Sequence, residues 1–244
     1  MNTILVTGAT GFLGEYVIRR LLKSRSEIRA FVRPTSDIAW LSKQDVHLFS
    51  GDLSQGHAIQ SALQGVDLLI NVASLGFGHA PNIVNSLIKS GVRRAVFVSS
   101  TSIFSKLSTR SKATRIQAEL VIAESGLDYT IVRPTMIYGS PRDRNIWRLV
   151  NFINKWPIIP IIGRGDALQQ PVYADDVAQA IISAAHRDLS IGQSYDIAGA
   201  EAISFLDIID LVSAALGRST KKVHIPYVMA KYASLLFGSI GLGI

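Results

Sequence analysis

The sequence contains no cysteine in its 244 residues, which excludes disulfide bonds and metal sites built from thiolates. Charged residues are also few, at 18% against 48% hydrophobic residues, and this balance excludes a disordered chain. The length is sufficient for one large α/β domain with a small second lobe. The histidines do not have the spacing of metal ligands, so we predict no metal site; they are His47, His57, His79, His186 and His224.

The start of the chain lacks a basic segment followed by a cleavage site, so we predict no signal peptide and a cytoplasmic location. The last twenty residues are apolar, but Lys231 and three glycines interrupt them, which disfavours a transmembrane segment. We expect this tail to be a buried helix or the contact surface for a protein partner or a second copy of the chain. The net charge of +7 suits phosphate-bearing ligands. Because the basic residues are spread along the chain without interleaved aromatic residues, we predict no binding to nucleic acid.

Short apolar and β-branched runs alternate with segments of helical spacing in the first 134 residues. The runs predict buried parallel strands; they lie at 3–8, 28–32, 46–53, 66–73, 95–100 and 129–134. The spacing between them predicts helices at 12–24, from 83 to Gly91, and at 112–125. The predicted fold class is therefore α/β: a Rossmann-like, doubly wound parallel sheet with helices on both faces and a small C-terminal substrate lobe.

The alternation becomes weaker after residue 140. A helix is predicted at 146–156, and "PIIPIIG" (157–163) is predicted to be an apolar connection punctuated by prolines. Asp175 and Asp176 are predicted to cap a further helix, and "SFLD" (204–207) resembles a capping box.

These patterns predict two parts of the chain. Residues 1–140, with a contribution from 165–200, form the nucleotide-binding core. Residues 141–164 and 201–244 form the C-terminal lobe, which is either naturally short or truncated.

A glycine-rich loop joins the first predicted strand to the first helix. "TGATGFLG" spaces Gly8, Gly11 and Gly14 as G-x-x-G-x-x-G. Glycine permits a tight turn at the first position, close approach of a pyrophosphate at the second, and close packing of helix and sheet at the third. The helix would offer free N–H groups and its positive dipole end to the phosphates. Glycines that serve only a turn are the alternative. The predicted dinucleotide site also includes Thr10, Phe12 and Leu13.

The residue after the second predicted strand indicates which dinucleotide fits. NAD-binding proteins usually have Asp or Glu there for the ribose 2′-hydroxyl, whereas Val32 is followed here by Arg33. A guanidinium would pair with a 2′-phosphate, so NADP(H) is the predicted cofactor; NAD, with Arg33 an ordinary surface residue, is the alternative. Segments after the third and fourth strands are expected to contact the adenine and the nicotinamide side; they contain Asp52, Leu53, Val72, Ala73 and Ser74.

Several segments resemble those of the short-chain dehydrogenase/reductase superfamily, in the extended or atypical branch of NAD-dependent, nucleoside-diphosphate-sugar epimerases and dehydratases. They include "GDL", "VFVSST", "TIVRPTMIYG" and "SYDIAGAEAISF", and the similarity covers nearly the whole chain. "GRGDALQQPVYADDVAQAI" is also similar to the NAD(P)-binding accessory subunit of respiratory complex I. The resemblance implies a core that binds NAD(P), a nucleotide-sugar or other small-molecule substrate under the C-terminal lobe, and cofactor contacts from Ser99, Arg115, Pro134 and Thr135.

Active members of the superfamily use a Ser or Thr after the fifth strand and a Tyr-x-x-x-Lys pair on the next helix. The lysine lowers the pKa of the tyrosine, which transfers a proton while hydride passes to or from the nicotinamide. Thr101 matches the first position, but the tyrosine and lysine positions carry Ser111 and Arg115. Tyr138 and Tyr173 fall where family members line the pocket. We take Tyr138, with Thr101, as a candidate catalytic residue; a packing role for both tyrosines is the alternative.

Two functions fit these patterns. The first is NADP(H)-dependent redox chemistry, of the oxidoreductase or epimerase/dehydratase type, on a nucleotide-sugar or small carbonyl substrate without the usual pair. The second is a non-catalytic NADP(H)-binding protein with a structural or redox-sensing role, which the missing tyrosine and lysine favour.

Overall fold

The computed structural model describes residues 2–106 and 108–228. The strands are β1 (Thr3–Thr7), β2 (Glu27–Val32), β3 (His47–Ser50), β4 (Leu68–Asn71), β5 (Arg94–Val98), β6 (Asp128–Pro134), β7 (Ile137–Tyr138), β8 (Ile158–Ile162), β9 (Leu168–Gln169), β10 (Val172–Tyr173), β11 (Gln193–Ile197), β12 (Ile203–Ser204) and β13 (Lys221–Ile225). The helices are α1 (Phe12–Leu21), α2 (Gln60–Leu63), α3 (Ala80–Ser90), α4 (Arg110–Ala123), α5 (Ile146–Lys155), α6 (Ala174–Ala185) and α7 (Phe205–Ala215). The apolar tail from residue 229 onward, with the partner contact predicted for it, lies outside the described residues.

Seven parallel strands form the main sheet, in the order β11-β6-β5-β4-β1-β2-β3. The chain moves outward from β1 to β3 in one direction and then returns to β4 on the other side of β1. Right-handed crossovers in these two directions place their helices on opposite faces of the sheet. The predicted Rossmann-like, doubly wound fold is confirmed.

Apolar side chains cover both faces of the main sheet. On one face α1 and α6 pack against the strands, with Val17 and Ile181 fully buried. On the other face α3 and α4 do the same, with Leu87 and Ile122 fully buried. The central strands β1, β4 and β5 are buried on both faces, and their largely apolar runs are the pattern from which strands were predicted. The edge strands β3 and β11 are mostly exposed.

The chain divides into two compact units. The first consists of residues 1–139 and 172–199 and contains the main sheet. The second, residues 140–171 and those from 200 onward, contains α5, α7, a parallel pair β8/β13 and an antiparallel pair β9/β12. The predicted capping box is present at the start of α7. The core of this second unit is formed by Ile153, Ile159, Ile161 and Ile209.

Two segments of the second unit differ from the sequence prediction. Residues 165–171, assigned to the core, belong to the second unit, because β9 in this segment pairs with β12. Residues 157–163 do not form an irregular connection, because they contain β8, which pairs with β13. Pro160 is compatible with this strand because β8 pairs on one side only among the described strands.

The start of α6 also differs from the prediction. The helix begins at Ala174, so Asp175 and Asp176 lie in its first turn and do not cap it. The Asp175 carboxylate instead accepts two hydrogen bonds of 2.7 Å from the guanidinium of Arg20 on α1. This pair joins the two helices that cover one face of the main sheet.

A buried polar pair joins β1 to β4 at their carboxyl ends. Thr7 Oγ1 donates to Asn71 Oδ1 at 2.6 Å, and Asn71 Nδ2 donates to the Ala73 carbonyl oxygen at 3.0 Å. Thr7 and Asn71 are both fully buried. The pair therefore fixes the two strand ends from which the glycine-rich loop and the segment 72–74 begin.

Thr7→Val should destabilise the protein, because valine keeps the shape of threonine but leaves the buried Asn71 Oδ1 without its donor. We expect the free energy of unfolding, measured by urea denaturation, to fall by about 1–3 kcal/mol. Thr3→Val, at the half-buried start of the same strand, is the matched control and should change it by less than about 0.5 kcal/mol. Equal losses in the two variants would contradict the role given to the buried pair.

Candidate functional site

The carboxyl ends of β1 to β6 lie along one edge of the main sheet, because these strands are parallel. The edge includes the point between β1 and β4 where the strand order reverses, and open α/β sheets bind ligands at such points. Most of the predicted site residues follow these strand ends: Arg33 after β2, Asp52 and Leu53 after β3, Val72, Ala73 and Ser74 after β4, Ser99 and Thr101 after β5, and Pro134 and Thr135 at the end of β6.

The glycine-rich loop between β1 and α1 leaves little room for side chains. Gly8 has φ +71°, and a Cβ on it would lie 2.6 Å from the Ala73 amide nitrogen. A Cβ on Gly14 would overlap the Gly8 carbonyl oxygen and lie 2.8 Å from Ala9 Cα, so α1 packs directly on the loop backbone. The Gly11 N–H donates to the Gly8 carbonyl oxygen at 2.9 Å, which closes the turn.

The first turn of α1 presents backbone N–H groups at this edge. Gly11 is the N-cap residue, and no side chain of the described residues caps the helix. The N–H groups of Phe12 and Leu13 therefore lie at a helix start of the kind that binds phosphate. The side chain of Leu13 is buried in the core, so this residue offers a ligand its backbone alone. Thr10, just before the N-cap, is half-buried.

Arg33 is exposed immediately after β2. Its carbonyl oxygen accepts a hydrogen bond from the Ser36 N–H at 2.9 Å, which turns the chain away from the strand. Asp37 is the first acidic residue after β2, and its Oδ1 accepts from the Ala39 N–H at 2.9 Å. The carboxylate is therefore engaged within its own turn, and the charged side chain that directly follows β2 is a guanidinium.

Asp52 occupies the corresponding position after β3. Its Oδ1 accepts from the Ser54 N–H at 2.7 Å. This hydrogen bond, with smaller contributions that include the charge of Arg33, lowers the pKa of Asp52, so the carboxylate is ionised at neutral pH. Asn82 on α3 donates to the carbonyl oxygens of Leu53 and Ser54 at 3.1 and 2.8 Å, which holds this loop against the helix.

Arg115 on α4 lies against the turn that follows β4. This turn spans Leu75–Phe77, and its N-cap residue Ser74 accepts a hydrogen bond from the Gly76 N–H at 3.2 Å. A Cβ on Gly76 would lie 3.2 Å from the Arg115 guanidinium carbon. The structure thus brings together two of the predicted residues, Ser74 and Arg115.

Ser111, at the tyrosine position, is exposed at the start of α4. Its hydroxyl lies 3.3 Å from that of Thr109, which caps α4 by accepting from the Lys112 N–H at 3.2 Å. A serine hydroxyl is far less acidic than a phenol, whose pKa is about 10. The sequence of α4 contains no tyrosine, so this helix offers no other phenol for the role.

Thr101 begins a short 3-10 turn after β5, and its Oγ1 donates to the Pro134 carbonyl oxygen at 3.4 Å. Thr135 is fixed by its N–H, which donates to the Ile197 carbonyl oxygen at 2.9 Å. The hydroxyl of Ser99 is buried and has no hydrogen-bond partner among the described residues. Such groups are rare in proteins, and a bound ligand or water is a usual explanation.

Tyr138 lies beside Tyr173 because β7 pairs with β10, and their ring centroids are 5.8 Å apart. Tyr16 on α1 packs edge-on against Tyr173 and donates to the Gly139 carbonyl oxygen at 2.8 Å. Burial, together with the neighbouring Tyr173, raises the pKa of Tyr16 to about 12, so this phenol stays protonated. No hydrogen bond or ring contact joins Tyr138 to Thr101 within the described ranges.

Three positioning features escape the sequence-based reasoning. The Thr7–Asn71 pair has a weak signal, since Asn71 is a polar residue at the end of an apolar run. Gly76 also has a weak sequence signal, because it lies two residues after the predicted segment "NVAS". Tyr16 has no such signal, because its partner Gly139 is 123 residues away.

The described part of the chain contains no group of three or more His, Asp or Glu side chains that could hold a metal ion. Within the same residues, no helix is both long and apolar enough to cross a membrane. The site is thus defined by a glycine-rich loop, a free helix start, a guanidinium after β2 and a second one beside the turn after β4.

A sequence profile described as NAD(P)H-binding matches residues 8–188. The chain belongs to this family. The matched segment begins at the first glycine of the loop and ends just after α6, so it covers all the strand ends that carry predicted residues.

Named relatives include an oxidoreductase and a respiratory subunit. The chain is 31% identical over 215 residues to quinone oxidoreductase 2 of Escherichia coli K12, which covers 80% of the chain and 68% of that enzyme. It is 27% identical over 251 residues to NADH dehydrogenase [ubiquinone] 1 alpha subcomplex subunit 9, mitochondrial, of Arabidopsis thaliana, which covers 93% of the chain and 61% of that subunit. The chain therefore corresponds to part of the length of the plant subunit.

Solved structures of epimerases have the same fold. The chain matches a nucleoside-diphosphate-sugar epimerase of Pseudomonas aeruginosa with a TM-score of 0.82 and 17% identity, over 97% of the chain and 84% of the other. It matches UDP-glucuronic acid 4-epimerase of Bacillus cereus in complex with NAD with a TM-score of 0.80 and 20% identity, over 92% and 87%. Identities this low show the fold alone. The shared fold, the family match and the similarity to the plant subunit together confirm the predicted resemblance.

Gly11→Val should remove dinucleotide binding without unfolding the protein. A Cβ on Gly11 would approach only the Gly8 carbonyl oxygen, at 3.1 Å, so the fold tolerates it at a cost of about 1 kcal/mol. The larger side chain would stand where the phosphates approach the helix start. We expect the Kd for NADPH, measured by calorimetry, to rise by at least about tenfold.

Gly56→Val is the control for this variant, because a Cβ on Gly56 would meet no atom closer than 3.9 Å. It should bind NADPH as the native protein does. Unchanged affinity in Gly11→Val would show that the phosphates do not rest on this loop.

Proposed function

We propose that the chain is an NADP(H)-dependent oxidoreductase that transfers hydride from NADPH to a small carbonyl substrate without a tyrosine–lysine pair. The observation that carries the proposal is the end of β2, where Arg33 is exposed and the nearest following carboxylate, Asp37, is held in its own turn. The family match supports NAD(P) in general; the choice of NADP rests on this residue.

The environment of Arg33 suits a 2′-phosphate better than a ribose diol. A diol is usually held by a carboxylate at this position, whereas a phosphate pairs with a guanidinium through charge-assisted hydrogen bonds. Asp37 already accepts a backbone hydrogen bond and would have to leave its turn to reach a ribose. NAD is present in solved structures of the same fold. If NAD is the cofactor of this chain, Arg33 is a surface residue that does not contact the dinucleotide.

The other predicted residues would hold the rest of the dinucleotide. The N–H groups at the start of α1 would bind the pyrophosphate, Asp52 with Leu53 the adenine, and Arg115 the ribose next to the nicotinamide. The hydroxyl of Ser99, which is buried without a partner, supports a ligand contact at the end of β5. The segments that complete the proposed site are Val72–Ala73–Ser74 and Pro134–Thr135. When bound, NADPH would supply the hydride.

The residues at the tyrosine and lysine positions limit the substrates that this site could reduce. Hydride transfer to a carbonyl carbon leaves an oxyanion that must take up a proton. Ser111 is a hydroxyl too weakly acidic to supply one, and α4 contains no phenol that could replace it. A quinone depends least on a proton donor in the protein. Its reduced oxygen is phenolic, with a pKa of about 10, and can take its proton from water. The name of the Escherichia coli relative supports this class.

Aldehydes and nucleotide-linked keto-sugars are the other carbonyl substrates consistent with the fold. Their product oxyanions are more basic than a phenolate, so a protein group would have to donate the proton. Tyr138, a partly exposed phenol, is the candidate donor for that step, and the hydroxyl of Thr101 after β5 is the candidate hydrogen-bond partner of the carbonyl oxygen.

A non-catalytic role is the second candidate. Ser111 is exposed and paired with Thr109, so the usual catalytic position contributes no chemistry, and a plant relative is named as a subunit of a respiratory NADH dehydrogenase. In this case NADP(H) would be a structural or redox-sensing ligand. A cytoplasmic location, and a protein partner at the apolar tail, stay predictions under both candidates.

Arg33→Gln should reduce the affinity for NADPH selectively. Loss of a charged hydrogen-bonding partner of the 2′-phosphate should raise the Kd for NADPH by roughly tenfold to a hundredfold, with less than about a twofold change for NADH. Arg25→Gln is the matched control, since Arg25 is exposed in the turn before β2, at the opposite edge of the sheet. Calorimetry with both coenzymes measures these effects. An equal loss for NADPH and NADH would remove the argument for NADP.

Turnover separates the two candidate functions. When the protein is mixed with NADPH and a quinone, we expect the absorbance of NADPH to fall faster than it does with an aldehyde or a keto-sugar. Ser111→Ala should keep kcat within about twofold, because Ser111 takes no part in proton transfer. Tight NADPH binding with a raised melting temperature but no turnover on any of the three classes would support the non-catalytic role.

A further inference from the structure

Gly76 lacks the usual reason for a glycine in a turn. Its φ lies outside the positive range that L-residues avoid, whereas Gly78 at the end of the same turn has φ +82°. The backbone conformation at position 76 would therefore accept any L-residue. What limits this position is space: a Cβ would lie 3.2 Å from both Cζ and Nη2 of Arg115, closer than side-chain carbons normally approach.

The turn that carries Gly76 is fixed in place. The Gly76 N–H donates to Ser74 Oγ at 3.2 Å, and the Gly78 N–H donates to the Leu75 carbonyl oxygen at 3.1 Å. Leu75 is buried in the core beneath the turn. The surface on which the Arg115 guanidinium lies is thus rigid backbone that follows directly from β4.

The helix that carries Arg115 is also fixed. One turn further along α4, Oε2 of Glu119 accepts hydrogen bonds from Nη2 and Nε of Arg133 on β6, at 2.6 and 3.0 Å. Both side chains are at least four-fifths buried. The base of the Arg115 side chain and the backbone of Gly76 therefore keep a constant separation, which leaves the guanidinium little freedom.

Arginine at this position requires a space that lysine does not. A guanidinium is a planar group with five N–H donors in a fixed arrangement, whereas an ammonium is a compact point charge on a flexible stem. Two bonded guanidinium atoms, Cζ and Nη2, lie 3.2 Å from the Cβ position of Gly76, so the group rests in contact with the glycine backbone. Its other N–H groups can then donate to hydroxyl groups of a ligand.

We propose that Gly76 positions Arg115, so that the guanidinium, resting on the bare backbone at 76, holds the ribose next to the nicotinamide in place of the family's lysine. The proposal rests on the proposed NADP(H) binding at this edge. Gly76 acts through Arg115 and is a positioning residue.

The test is the Kd for NADPH, measured by calorimetry, in a double-mutant cycle. Gly76→Ala and Arg115→Ala should each weaken binding by roughly tenfold, and the double variant should be no weaker than Arg115→Ala alone. A merely structural role of Gly76 would give losses that add. Gly56→Ala is the matched control, because its Cβ would meet nothing closer than 3.9 Å, and it should bind normally.

Lysine provides a second readout, and the single variant Arg115→Lys does not require Gly76→Ala to fold. Arg115→Lys alone should bind NADPH about tenfold less tightly than the native protein, because an ammonium leaves the space over Gly76 unfilled. Combined with Gly76→Ala, whose methyl group fills that space, the lysine should recover affinity relative to Gly76→Ala alone. Circular dichroism and melting temperatures establish that each variant is folded.

The outcomes separate this inference from the function on which it rests. Additive losses in the cycle, or native affinity in Arg115→Lys and Arg115→Ala, would overturn the role of Gly76 and Arg115 while NADPH binding stands. Absence of NADPH binding by the native protein would overturn the proposed function itself.

Discussion

Close contact between backbone segments is the constraint on which the rest of the site depends. The loop after β1 lies so near the chain after β4 that Gly8 has no space for a Cβ, and α1 starts so near this loop that Gly14 has none either. The start of α1 is therefore held at the point where the strand order reverses, with its N–H groups free of side-chain caps. The buried Thr7–Asn71 hydrogen bond fixes the two strand ends that frame it. The position of this helix start, where the phosphates are proposed to bind, is thus a result of packing.

The proposed chemistry at this edge differs from that of a tyrosine-dependent dehydrogenase because of two positions on α4. An arginine in place of lysine keeps a positive charge beside the turn after β4, but its geometry requires an empty space on the facing backbone. A serine in place of tyrosine removes the acid and leaves a hydroxyl that joins the N-terminal cap of the helix. In the proposed function, these two residues would still help to hold a dinucleotide but would lack the usual means of moving a proton. A substrate whose reduced form is itself a weak acid would not need the missing group.

The sequence predicted the main sheet and the edge that carries the site because both depend on local patterns. Continuous apolar runs mark strands buried on both faces, and glycine spacing marks the loop. Where the prediction was wrong, a distant partner decided the structure. Pro160 lies in a strand because β13, about sixty residues later, supplies a neighbour on one side only. Asp175 pairs with Arg20 rather than with its own helix end. Gly76 and Tyr16 gain their roles from residues on other elements, which local patterns indicate only weakly for Gly76 and not at all for Tyr16.

The hydrogen bond from Tyr16 to the Gly139 carbonyl oxygen gives the main unit an internal mechanical connection. It ties the helix that begins at the glycine-rich loop to the residue that immediately follows Tyr138. A ligand that displaced the chain at Gly139 away from α1 would strain this bond, and a displacement of α1 would strain it from the other end. Whatever free energy the bond couples between the two segments is the same in both directions, as thermodynamic linkage requires.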